Sequence, residues 1–557
     1  MKSYWEELRG LCTKKRFLLC IALLALVAYG FSVANSTMYI DMLENERYLG
    51  SGQEMLKAGR FGFTLLGNLV GYVGAVPQNE AVLEILTILG LILAGCNLCI
   101  LFRRICGSAL SDAACIVFIG VFLTYPLYIE LWAYTGAMLC VSFCQVCSSY
   151  ALLLIHGALH GGKAGWWKRF LPAALLMMLV CAGYEAIVPV YIWSVFAVLF
   201  LQAIHGDARE KTVKEMIRQG LCYAAVLVAG LALRVLVHKG ILFAFHLTAQ
   251  KNGETYVFWR MEPTRELIKK LAAGFLQKYL LKGIIYFPIT EFVIACAAFV
   301  PMLIAACRRR GAALLLPGLG MYLSLILLSL LQAEVSPYRA CHVFAPFVAF
   351  TVMYLLMGIE HRTEHGKRKR LRAVALCLCG VLCFQQARYI NYFVTVNHNN
   401  AQEEAYVIRE VGTKLQSGFD LEKPVFFVGL WNTSTYSQES ASIPADSIRW
   451  KAYRRICNWM CELPKLGKYT EKPSRFLPQT IVKPTMFWAV NPTFHQEGMQ
   501  HLFQYYGYDY LAPTQGEYDL LYEQAVDYVE QNQVPSYPRD GYIQDAGRYI
   551  VVHLERP

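Results

Sequence analysis

Apolar runs of about 20 residues, the length that crosses a bilayer as a helix, recur through the first 393 positions and then stop. The first runs from Phe17 to about Ser36. Others follow near 81–102, 113–129, 131–155, 171–184, 186–204, 220–238, 283–306, 311–331, 339–358 and 373–391. The pattern predicts eleven membrane helices, with tight hairpins turning near Glu130 and Glu185. The first run follows Lys14-Lys15-Arg16, as the apolar core of a signal peptide would. It is too long for one, lacks a small-x-small cleavage site and is followed by many more spans, so it reads as a retained helix.

After residue 393 the pattern becomes that of a water-soluble chain. Ala401, Ala405, Ile408, Val411 and Leu415 recur at helical spacing over 400–416. Pro424 to Val428 reads as a buried strand, 518–531 as a helix, and Tyr549 to Leu554 as a final strand. The expectation is a mainly α, polytopic membrane protein over 1–393, including an outer loop at 38–80, followed by a small α/β domain over 394–557. There is no internal repeat and no low-complexity segment.

Composition agrees. Residues of the AVILMFWYC set make up 56% of the chain and charged residues 17%, against roughly a quarter charged in soluble proteins. The net charge of +12 does not point to nucleic acid, because no basic stretch is interleaved with stacking aromatics. It is explained by loops. With the N-terminus inside, the cytoplasmic segments are 1–16, 103–112, 156–170, 205–219, 307–310 and 359–372, and each is basic, as the positive-inside rule requires. That places 394–557 outside the cytoplasm, in a multi-pass protein of the cell membrane. Of nineteen cysteines, seventeen precede residue 394 and read as small buried hydrophobes. Two CxxC pairs, Cys96–Cys99 and Cys144–Cys147, lie mid-span, where the redox or zinc reading is weak. Cys457 and Cys461 are the pair in the soluble part, and a disulfide between them is left open.

The few acids near the hydrophobic region carry the chemistry of such a chain. Asp41, Glu44, Glu46, Glu54, Glu130, Glu185 and Glu334 all face the outer side under this topology and can converge on one cavity. A carboxylate beside apolar walls can be tuned as a base, although a hairpin Glu is more often a solvated helix end. Asp41 stands out because it directly follows the first span and opens a loop, 42–80, too long for a simple connector. Met42, Leu43, Leu49, Met55 and Leu56 suit short interfacial helices there. Arg339, after Ser336-Pro337-Tyr338, and Arg60 can each bind a lipid phosphate bidentately or merely snorkel to the interface. Arg388 reads as interfacial. Tyr256, Phe258, Trp259, Arg260 and Glu262 in the 239–282 loop suit an aromatic belt better than a sugar platform. His156 and His160 fall at a cytoplasmic helix end and read as structural. No Walker lysine loop, dinucleotide glycine fingerprint or HExxH is present.

An acid after the first span, a long amphipathic outer loop, many spans and an extracytoplasmic tail together resemble the GT-C glycosyltransferase plan. More narrowly the chain resembles the bacterial Gtr type II membrane glucosyltransferases. The matching stretches are Tyr39-Ile40-Asp41 through Gly59-Arg60-Phe61, Gly183-Tyr184-Glu185-Ala186, Ser336-Pro337-Tyr338-Arg339, Gln385-Gln386 leading into Asn399–Glu410, and Gly541-Tyr542-Ile543 to Val551-Val552-His553-Leu554. It departs from the family's usual pattern at Ile40, Phe61 and Glu185. The resemblance implies a polyprenyl-phosphate sugar donor, glucose by the family's habit, and a surface glycan acceptor. It implies inversion with Asp41 as base, and Arg339 and Arg60 on the leaving phosphate. Glu44, Glu130, Tyr184, Glu185, Glu334 and Tyr338 are further candidates for substrate contact or acid chemistry. A divalent cation (Mg or Mn) on Asp41 with Glu44 or Glu185 is left open. Two other readings stand beside this one: a lipid-linked glycan polymerase or ligase, and a polyprenyl-linked sugar flippase.

Overall fold

The computed structural model describes residues 3–35, 53–72, 80–132, 134–160, 165–206, 212–249, 262–362, 365–432, 442–463, 467–475 and 496–554. Among these, ten helices are long and apolar enough to cross a membrane, and Phe61–Val70 and Phe344–Glu360 are shorter apolar helices. The protein is a multi-pass, mainly helical membrane protein. The chain divides into two compact units. The first holds described residues of 3–34, 48–391 and 445–474, and the second holds Asn35 and described residues of 392–444 and 475–554.

The first unit opens with α1 (Tyr4–Cys12), closed by a capping box between Ser3 and Glu6, and α2 (Lys15–Ala34). Then come α3 (Gln53–Lys57), α4 (Phe61–Tyr72), α5 (Glu80–Cys106), α6 (Asp112–Leu123) and the single turn α7 (Ile129–Trp132). α8 (Thr135–His160), α9 (Trp166–Gly183), α10 (Val188–His205) and α11 (Val213–Ala244) complete the first half. α12 (Thr264–Gly274), α13 (Phe287–Arg310), α14 (Leu315–Gln332) and α15 (Phe344–Arg362) follow. The run expected at 339–358 is thus α15, entered through a 3-10 turn at Tyr338–Ala340. The loop expected at 42–80 contains α3 and the apolar α4 within its described part.

The basic segments meet at one end of the bundle. Arg104 pairs with Glu7 at 2.6 Å, Lys14 with Asp112 at 2.5 Å, and Arg372 with Glu360 at 2.8 Å. Arg103 also pairs with Asp112. The turns near 130 and 338 lie at the opposite ends of the spans that begin at Asp112 and end at Arg362.

The last helix, α16, differs from expectation. The sequence suggested a span over 373–391 and a separate helix over 400–416, whereas α16 runs unbroken from His365 to Gly418, 54 residues. No Gly or Pro lies between Gly380 and Gly412, so nothing stops helix propagation there. In the second unit, β1 (Val425–Val428) pairs in parallel with β3 (Ile550–His553), and β2 (Ile543–Asp545) pairs antiparallel with β3, giving the order β1-β3-β2. Alternation along the strands builds two cores. Val425, Phe427, Ile550 and Val552 pack with Val407, Ile408, Val411 and Leu415 of α16. Phe426, Val428 and Val551 face Ala525 and Val529 of α19 (Gln515–Gln531). Between β1 and α19 come α17 (Ile448–Glu462) and α18 (Gln496–Tyr505). Cys457 and Cys461 are free thiols.

Candidate active site

The stretch Gly59-Arg60-Phe61-Gly62 owes its composition to a tight corner. Gly59 has φ of 76°, the left-handed region that costs other residues about 1–2 kcal/mol. His238 Nε2 donates to the Leu56 carbonyl at 2.9 Å, tying α3 to α11. Two residues on, a Cβ on Gly62 would lie 2.9 Å from both Gly183 N and Leu179 O. Only glycine lets the start of α4 press against the end of α9. That approach sets Arg60 beside the turn that begins at Tyr184.

Tyr184 occupies the one-residue gap between α9 and the 3-10 turn Glu185–Ile187. Burial pushes its phenol upward, and the guanidinium groups of Arg339 and Arg60 act against that shift, so both cations lie within electrostatic reach of one hydroxyl. Arg339 is exposed, with its guanidinium 5.9 Å over the ring of Tyr134. Arg60 is exposed as well. Neither forms an ion pair among the described residues. Beneath them lies His342, a buried ring packed edge-on against Tyr184 at 5.5 Å and stacked with Tyr128 at 6.1 Å. Burial pushes it down to about 3, so it is neutral, and its bond to the Arg339 backbone is the one effect opposing that.

A second cluster adjoins this one through Tyr338. The buried Tyr286 hydroxyl donates to Glu130 Oε1, and the Tyr286 and Tyr338 rings lie 5.2 Å apart. Tyr338 in turn donates to the Lys278 carbonyl at 2.8 Å. Lys282 is half-buried, with its ammonium 5.5 Å from the centre of the Tyr453 ring. Burial pulls it down to about 8, while Cys457, Glu130 and Glu471 act in the other direction. Residues 445–474 complete this side. Arg449 Nε donates to the Ile284 carbonyl at 2.7 Å, and Gln277 exchanges two hydrogen bonds with the Glu471 backbone, at 2.6 and 2.9 Å. Trp132, beside Glu130, is anchored by Glu84 at 2.9 Å, and Glu84 also accepts from Ser32 at 2.7 Å.

The structure therefore brings Arg60, Arg339 and Tyr184 together, and Glu130 with Tyr338. Glu185 faces away from a free role, because Arg234 pairs with it at 2.7 Å. Glu334 and Arg388 are exposed. Asp41 and Glu44 lie outside the described residues, as do Glu46 and Tyr256 to Arg260. Among the described residues no group of three His, Cys, Asp or Glu is arranged to hold a metal ion. Lys282, Tyr286, His342, Glu84 and Arg234 escaped the sequence reading. Two of them, Glu84 and Arg234, stand as charges within apolar runs, which is the signal that would have flagged them.

Fold and site define a multi-pass membrane protein with a tyrosine-rich cluster bearing two arginines where its spans turn, away from the basic loops. The sequence model of the family described as glucosyl transferase GtrII matches residues 30–356, more than half of the chain and all of the residues just named except those of the 445–474 segment and Arg388. The chain belongs to that family, and is a membrane glucosyltransferase. No curated protein and no solved structure matches it.

Proposed function

We propose that the protein moves glucose from a polyprenyl-phosphate carrier to a cell-surface polysaccharide on the outer side of the cell membrane, with inversion at the anomeric carbon. The observation that carries this reading is the meeting of Arg60 and Arg339 around Tyr184, with no described carboxylate paired to either. Two guanidinium groups so placed suit a phosphate that gains charge as it leaves. Beside Arg60, α4 presents Leu65 and Leu69 outward, an apolar track of the kind a polyprenyl chain would follow into the bilayer.

In this mechanism Asp41 takes the proton from an acceptor hydroxyl. The hydroxyl oxygen attacks the anomeric carbon from the face opposite the phosphate. The bond from that carbon to the phosphate oxygen breaks, and the phosphate leaves with the electron pair, its charge met by Arg339 and Arg60. Tyr184 spaces the two cations and offers a hydroxyl donor to a phosphate oxygen. Because the leaving group is a lipid phosphate, the two guanidinium groups supply the electrostatics that a nucleotide donor obtains from a metal.

The test uses protein reconstituted in liposomes with surface glycan from the source cells. Label transfer from polyprenyl-phosphate [14C]glucose, and none from a nucleotide-linked glucose, is the expected result. Transfer from the nucleotide sugar alone overturns the donor assignment. Label that crosses the bilayer without joining glycan favours a flippase.

A further inference from the structure

Arg234 is a cation inside a membrane span. It lies in α11 (Val213–Ala244), and its neighbours Leu231, Val235 and Leu236 are exposed, as side chains that face lipid are. A charge in such a place is expensive and is retained for what it holds. Arg234 holds two things. Its Nη2 donates to Glu185 Oε1 at 2.7 Å, and Glu185 directly follows Tyr184. The same Nη2 lies 3.0 Å from where a Cβ on Gly59 would be, so the guanidinium packs on the backbone just before Arg60. One helical turn on, His238 Nε2 donates to the Leu56 carbonyl at 2.9 Å, and its ring lies 3.2 Å from that same Cβ position. Arg234 and His238 thus stand at i and i+4 on one face of α11, and both press on the 56–59 corner. That corner is closed by its own backbone, with Gly59 N donating to the Leu56 carbonyl at 3.1 Å and Arg60 N to the Met55 carbonyl at 2.8 Å. Arg60 is therefore bracketed. After it, Gly62 touches Gly183 directly; before it, Gly59 touches Arg234, which bonds Glu185. Both routes end on the turn at 183–185 that carries Tyr184. The Gly62 contact alone leaves the start of α4 free to pivot about one point, and the second contact removes that rotation. With Glu185 52% exposed and Arg234 22%, the ion pair adds little to stability. What it adds is position.

We propose that Arg234 is a positioning residue of the donor-phosphate site: through its bond to Glu185 and its packing on Gly59 it holds the Arg60 corner against the Tyr184 turn. This rests on the transferase reading above, in which Arg60 meets the leaving phosphate. Arg234 does not meet the phosphate itself, because its charge is already matched by Glu185.

The experiment titrates the full-length protein in nanodiscs with polyprenyl phosphate and follows thermal unfolding of each variant beside it. Glu185→Gln and Glu185→Ala remove the same negative charge, but only glutamine keeps an oxygen for Arg234 to bond. The Kd should stay within about three-fold of wild type in Glu185→Gln and rise about ten-fold in Glu185→Ala, the loss expected when Arg60 no longer reaches the phosphate with a charged hydrogen bond. In an Arg234→Met background the two Glu185 variants should bind alike, since the bond that distinguishes them is gone. Equal Kd values in folded Glu185→Gln and Glu185→Ala overturn the inference, even if alanine lowers the unfolding temperature, because the pair would then be merely structural. Tighter binding in Glu185→Ala also overturns it, by showing that the released Arg234 binds phosphate directly. So does a difference between glutamine and alanine that persists without Arg234. A wild-type protein that binds no polyprenyl phosphate would sink the donor reading, and the inference with it, whereas normal wild-type binding with indifferent variants sinks the inference alone.

Discussion

Replacing Gly62 with alanine tests how the corner at 59–62 builds the site. The new methyl would lie 2.9 Å from Gly183 N and Leu179 O and 3.0 Å from Ala182 C. Carbon atoms prefer about 3.5–4.0 Å. The neighbours are backbone atoms of α9, which cannot rotate away, so α4 must retreat by roughly 0.5–1 Å. Overpacking of this kind costs about 1–3 kcal/mol. The retreat also carries Arg60 away from Tyr184, and a displacement of about 1 Å at a reacting site can cost on the order of 100-fold in rate. The variant should therefore lose both thermal stability in nanodiscs and most of its sugar transfer. Gly380→Ala is the control, because a Cβ there meets nothing within 4 Å. Its added methyl should leave both quantities at or above wild type, since alanine favours a helix over glycine by about 1 kcal/mol. Wild-type stability and rate in Gly62→Ala would refute the claim that close approach of α4 to α9 positions Arg60.

Other substitutions separate chemistry from support. Arg339→Gln should lower transfer by about 100- to 1000-fold, the loss expected for one electrostatic stabiliser of a developing charge, with little change in thermal stability because the side chain is exposed; a fall below ten-fold would argue against a phosphate role. Glu84→Leu leaves the buried Ser32 hydroxyl without its acceptor and Trp132 with Ser32 Oγ alone, and should destabilise by about 1–3 kcal/mol in thermal unfolding. Glu84→Gln keeps an acceptor oxygen and should cost clearly less, and equal losses in the two would show that the charge, not the hydrogen bonds, matters.

Hydropathy made the membrane architecture legible, because a bilayer imposes one length and one polarity on every span. The run at 220–238 was visible, as part of α11 (Val213–Ala244), but the partnership of Arg234 with Glu185 was not. The two residues are 49 positions apart and meet only when α9 and α11 pack. Arg60, Tyr184 and Arg339 each stood out locally, yet their convergence depends on the glycine approach of α4 to α9 and on the turn at Tyr338–Ala340. Lys282 and His342 carry no local signal at all. One is a lysine at the edge of an apolar run and the other a lone histidine, and what distinguishes them is burial and the rings around them. The short strand β2, three residues long, is too brief to show alternation. The unbroken α16 was hidden by its polar stretch around Asn397–Asn400, where weak helix formers suggested a boundary that the flanking packing overrides.

The central claim is that a carboxylate after the first span activates an acceptor hydroxyl toward a polyprenyl-phosphate sugar. Its most direct test compares wild type and Asp41→Asn in liposomes supplied with polyprenyl-phosphate [14C]glucose and surface glycan, after matched folding and donor binding are established. The account predicts that label transfer falls by at least about 100-fold in the variant, within the range for loss of a general base, while donor binding persists. Equal transfer in both proteins would contradict it and move the base to another carboxylate, with Glu130 the first to examine.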